Sequence, residues 1–75
     1  MAASRERVAR NFVKRYGQDR FRQLIRQLES GESGQTIADE FGVSRERVRQ
    51  WKNAFGSVFT LYQVHPEVQR VLEER

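Results

Sequence analysis

Between Ser44 and Asn53 the chain sets Arg45, Glu46, Arg47, Arg49, Gln50, Lys52 and Asn53 around two large apolar residues, Val48 and Trp51. Arginine can grip guanine at O6 and N7 with two parallel donors. Glutamine or asparagine can pair with adenine at N6 and N7, and glutamate can accept from the amino group of cytosine. A helix here with Val48, Trp51 and Phe55 inward turns Arg45, Glu46, Arg49, Gln50 and Asn53 to one exposed side, with Ser44 at its start. That side is equipped to read base edges. Arg47 and Lys52 fall on its flanks, where a cation holds backbone phosphate.

Such a face works only if other elements hold it. Ser44 is a good N-cap, and Glu46 in the first turn suits the helix dipole. Upstream, a helix is expected from about Gln35 to Phe41, with Ile37, Ala38 and Phe41 inward. Gly42 suits a left-handed turn position, and Val43 plugs the turn. Two helices meeting at a steep angle need a small residue at the contact, which Ala38 supplies. Gln35 and Thr36, at the start of the upstream helix, can offer free N–H groups to phosphate.

Over residues 34–53 this pattern resembles the helix-turn-helix family, whose second helix enters the DNA major groove. The small residue, the glycine and five apolar positions (Ile37, Phe41, Val43, Val48 and Trp51) all agree. Within it, Val43-Ser-Arg-Glu-Arg-Val-Arg-Gln50 is similar to the recognition helix of region four in bacterial housekeeping sigma factors. That resemblance implies Arg45, Glu46 and Gln50 as base readers, with Arg47 and Arg49 along the backbone. It stops at about Asn53. There sigma factors continue with a lysine-rich segment, whereas this chain runs into an apolar stretch.

The flanking segments read as support. A first helix is expected from a cap at Ser4 to Tyr16, with Val8, Phe12 and Tyr16 on one face. Gly17 ends it. A second helix, capped by Asp19, carries Phe21, Leu24, Ile25 and Leu28 inward. Arg22 and Arg26 lie on its opposite face and are candidates for added backbone contacts. Gly31 to Gly34 forms a loop. Gly56 ends the reading helix. Residues 57–64 are apolar, β-branched and aromatic without helical period, so they form a short strand or an extended arm. Phe59, Leu61, Tyr62 and Val64 in this arm either fold back to close the core or form a dimer contact. Pro66 opens a last helix after His65.

Composition narrows the class. A chain of 75 residues makes one small domain without room for a deep substrate pocket. Net charge is +4, unevenly spread. Residues 1–28 hold eight basic and two acidic groups, residues 29–42 hold four acidic and none basic, and residues 44–53 hold four basic and one acidic. Two basic blocks around an acidic one favour a polyanion. Twelve of the fourteen basic residues are arginine, suited to bidentate phosphate and guanine contacts. Without cysteine there are no disulfides or thiolate metal sites. The single histidine, His65, has no partners at ligand or catalytic spacing. No catalytic residue, metal or cofactor is assigned, and an enzyme is not expected. Nor does any apolar run resemble a leader or a membrane span.

The sequence therefore predicts an all-α domain of four to five helices containing a helix-turn-helix, with a short extended C-terminal arm at 57–75. Its expected partner is double-stranded DNA, read in the bacterial or phage cytoplasm for transcription regulation and in association with the nucleoid. A homodimer would place two reading helices one DNA turn apart. The competing readings are a sigma-like factor bound to RNA polymerase, a phage packaging or recombination module, and an interaction domain that has lost DNA. No membrane or small-molecule partner is expected.

Overall fold

The computed structural model describes residues 2–58 and 60–74. Five helices and one hairpin follow in order: α1 (Ala2–Tyr16), α2 (Gln18–Glu29), α3 (Gly34–Phe41), α4 (Arg45–Phe55), β1 (Gly56–Val58), β2 (Tyr62–Val64) and α5 (Pro66–Glu73). The expected helical architecture is present.

The apolar faces converge on one core. Phe21, Leu24, Ile25, Ile37, Phe55, Val68 and Val71 are almost fully buried. Phe12 of α1 sits at the aromatic centre, 4.8 Å from the Trp51 ring in an edge-on arrangement and 5.6 Å from Phe21. Trp51 is thus a core residue, which fixes the inner face of α4.

Local chemistry sets the boundaries, with two differences from expectation. Helix α1 starts at Ala2, ahead of Ser4. Helix α2 takes Gly17 rather than Asp19 as its N-cap, because the Phe21 N–H donates to the Gly17 carbonyl at 3.1 Å; Gly17 has φ 98°, where a β-carbon is strained. Asp19 lies in the first turn, where its charge still suits the dipole. The acidic and amide groups between α2 and α3 form one network. Gln27, 7% exposed, donates to Glu32 and Glu40 at 3.1 Å each, and Gln23 donates to Glu40 at 2.8 Å. Arg20 lies 4.2 Å over the Phe41 ring.

The segment after α4 is a short extension of two strands. Strands β1 and β2 pair with each other in antiparallel register, Gly56 with Val64 and Val58 with Tyr62. Tyr62 folds back into the core at 7% exposure and its hydroxyl donates to the Lys52 carbonyl at 2.7 Å. A buried phenol needs such an acceptor. Burial, with the charge of Glu29 as a lesser cause, pushes its pKa well above the ordinary tyrosine value. Tyr62 is therefore not available as a dimer contact. Val64 is half-buried against the same core, Leu61 is 70% exposed, and Phe59 lies outside the described residues.

Helix α5 closes the domain against α1 and α2. Gln18 donates to the Val71 and Leu72 carbonyls at 2.9 and 3.0 Å. Arg10 grips Glu74 at 2.8 and 2.7 Å and also meets Glu6. That pairing raises the Arg10 pKa and holds Glu74 below the usual carboxylate range.

Candidate nucleic-acid interface

Helices α3 and α4 are held at a turn that needs its glycine. Gly42 has φ 66° and ψ 37°, and the N–H groups of Gly42 and Val43 both donate to the Ala38 carbonyl. Ala38 is 1% exposed, so its small side chain lets the two helices approach. Ser44 then caps α4 by accepting from the Arg47 N–H at 3.1 Å. Val48, Trp51 and Phe55 are buried beneath.

The outer face follows from that anchoring. Ser44, Arg45, Glu46, Arg49, Gln50 and Asn53 are all exposed, as are Arg47 and Lys52 on the flanks. The face is one continuous polar surface on a helix whose inner side is fixed. Glu46 and Arg49 interact on it, with two hydrogen bonds of 3.0 and 2.7 Å. Arg49 thereby lowers the Glu46 pKa, and Glu46 raises that of Arg49. Among the described residues, Arg45, Arg47 and Lys52 form no ion pair.

Three flanking candidates have other engagements. The Thr36 N–H is not free, because α3 is capped by Ser33, whose hydroxyl accepts from it at 3.1 Å. Gln35 is exposed and donates through its side chain to Asp39 at 2.8 Å. Arg22 turns toward α5, with its guanidinium donating to the Leu72 and Glu74 carbonyls at 3.4 and 2.8 Å. The last turn of a helix leaves carbonyls without partners, and an arginine satisfies them. Arg22 is therefore a fastener of α5 rather than a backbone contact. Arg26 is exposed.

Two grooves border α4. One, of about 480 Å³, lies between α1 and the start of α4 and includes Asn11, Arg15, Ser44, Arg47 and Trp51. The other, of about 390 Å³, lies on the α2–α3 side and includes Glu32, Arg45, Glu46 and Lys52. Asn11 and Arg15 escaped the sequence reading. The signal was present in Arg7, Asn11 and Arg15, which recur every four residues beside the buried stripe of the first helix.

The model of the homeodomain-like domain matches residues 17–57, just over half of the chain. The chain belongs to this helix-turn-helix family. The matched region takes in α2, α3 and α4, the three-helix unit of homeodomain-like proteins, and leaves α1 and α5 outside. No curated protein and no solved structure matches the chain. Homeodomain-like domains are a DNA-binding fold, and the third helix of a homeodomain enters the major groove.

Proposed function

We propose that the protein binds duplex DNA sequence-specifically, with α4 in the major groove, and regulates transcription in a bacterium or phage. The observation that carries this reading is the unbroken polar face of α4 on a buried, capped helix. Arg45, Glu46, Arg49, Gln50 and Asn53 read bases, with Ser44 at the groove edge. Arg47 and Lys52 hold phosphate, joined by Gln35 and Arg26 at the periphery. A homodimer formed through the hairpin tip would present two such faces. Its support is the exposure of Val58 and Leu61, at 57% and 70%. A second reading, a sigma-like factor bound to RNA polymerase, is favoured by the segment Val43–Gln50.

In-vitro selection from a random duplex library tests the proposal. An enriched palindrome is expected for a dimeric reader, with half-sites spaced by about one helical turn. A single enriched half-site moves the weight to the polymerase-bound factor, which a polymerase pull-down then checks. Salt-sensitive binding without enrichment turns the protein into a DNA organiser of the packaging kind. No binding at all overturns the reading.

A further inference from the structure

Arginines of α1 are sorted by side. On the side facing α5, Arg5 lies 3.8 Å from Glu67, and Arg10 is held by Glu74 and Glu6. On the side facing α4, Arg15 reaches no carboxylate among the described residues; Arg7, exposed one turn before Asn11 and outside the groove, reaches none either. Arg7, Asn11 and Arg15 are spaced four apart, so they run as one stripe along the helix.

That stripe ends at the start of α4. Asn11 and Arg15 share a groove with Ser44 and Arg47, and no carboxylate lines it. Among the described residues, the N–H groups of Arg45 and Glu46, in the first turn, have no partner within the chain. The groove therefore combines two guanidiniums without a carboxylate partner among the described residues (that of Arg15 lies 5.7 Å from the Tyr16 ring centre), two neutral polar side chains and the positive end of an eleven-residue helix. The groove on the other side of α4 differs, because Glu32 and Glu46 line it.

We infer that the groove between α1 and α4 seats a backbone phosphate of the DNA strand that borders the reading helix. Arg15 and Arg47 clamp it from opposite walls, and Arg7 meets a neighbouring phosphate on the same strand. Arginine forks match phosphate oxygens in pairs. Helix α1 lies outside the residues matched by the family model, so this backbone contact adds to those of the matched region. The inference rests on the proposed DNA binding and extends its footprint.

The test is the salt dependence of affinity for a selected duplex and for a scrambled one. Each phosphate contact contributes about 0.9 to the slope of log K against log salt. Arg15→Ala is expected to lower that slope by about 1 and to weaken both duplexes by the same factor. Arg7→Ala combined with Arg15→Ala should lower it by about 2, and Arg15→Lys should restore most of the slope. Arg10→Ala is the control, since its charge is already matched within the chain, and its slope should equal that of wild type. The inference is overturned if wild type binds while Arg15→Ala keeps the full slope. It is equally overturned if Arg10→Ala loses as much as Arg15→Ala, because the effect would then be overall charge. A wild type that binds neither duplex overturns the parent reading instead.

Discussion

Glu46 and Arg49 hold one another on the outer face of α4, Arg49 Nε meeting Glu46 Oε1 at 3.0 Å and Nη2 meeting Oε2 at 2.7 Å. Both groups are proposed base readers, so each must exchange a satisfied partner for a base edge. A guanine presents two acceptors that replace both bonds to Arg49, and other bases leave at least one unpaired. Glu46→Gln should therefore raise affinity for scrambled duplex several-fold and narrow the ratio between selected and scrambled sites. An unchanged ratio would show that the pair has no part in discrimination. The pairing also has a pH sign. Arg49 depresses the Glu46 pKa, so the pair is complete above the ordinary carboxylate value of about 4.3 and is lost as pH falls through the lower folded value. Carbon-detected NMR titration of Glu46 should place its midpoint below that of Glu46 in the Arg49→Ala variant.

Arg45 forms no ion pair among the described residues, and Gln50 adds only a lesser lowering to the Glu46 pKa; both are exposed on the same face. Arg45→Ala or Gln50→Ala should cost ~1–3 kcal/mol on the best site and relax one base position each. Equilibrium binding to single-base variants of that site reads both effects. If both variants bind with unaltered preference, α4 is docked by another face.

Gly56 is required for a reason separate from turn geometry. Its backbone is extended, yet a β-carbon there would strike the Gln63 carbonyl oxygen and come within 2.8 Å of the Tyr62 ring. Backbone cannot yield as a flexible side chain does. Gly56→Ala should destabilise the fold by about 1–3 kcal/mol, as overpacking typically does. Thermal unfolding should show it as a Tm lower by at least ~4 °C.

Tyr62 ties the hairpin to α4, and it carries the alkaline limit of the domain. Its folded pKa is raised by burial, so its contribution is fully present below the unfolded tyrosine value of about 10 and is lost as pH rises beyond it. Tyr62→Phe should cost about 0.5–1.5 kcal/mol at neutral pH, since the Lys52 carbonyl keeps the Gly56 N–H but loses its second donor. The variant should also lose less stability than wild type when unfolding is followed upward through pH ~10. Parallel curves for the two proteins would place the alkaline sensitivity elsewhere.

Leu61, 70% exposed at the hairpin tip, is the residue on which to test self-association. Leu61→Asp is expected to convert a dimer to a monomer while the helical circular dichroism is retained. A mass in solution identical to that of wild type would remove the tip as the interface. Tyr62→Asp cannot serve the same purpose, because it would bury a charge in the core.

The helices were legible because Val48, Trp51 and Phe55, or Phe21, Leu24, Ile25 and Leu28, repeat at helical spacing and leave little freedom over which side is inward. The turn was legible because Ala38 and Gly42 answer two separate steric demands. What escaped depends on contacts between distant segments. Arg22 and Arg26 look alike on one face of α2, and only the position of α5 gives Arg22 its carbonyls. Thr36 reads as a free helix start, but the Ser33 cap two residues before the expected boundary takes its N–H. Residues 57–64 carried strand chemistry without saying what they would pair with. The pairing proved to be within the segment, with Tyr62 turned inward.

Helix α4 is fastened at both ends within the chain, by the Ser44 cap at its start and by the Tyr62 hydroxyl on its last turn. The His65 N–H, bonded to the Phe55 carbonyl at 2.9 Å, closes the same end. The backbone of α4 has thus given up its freedom within the domain itself. In the proposed complex, association would order side chains and release ions and water without having to fold α4. Its heat-capacity change follows from the contact area alone, as for a rigid body meeting a groove.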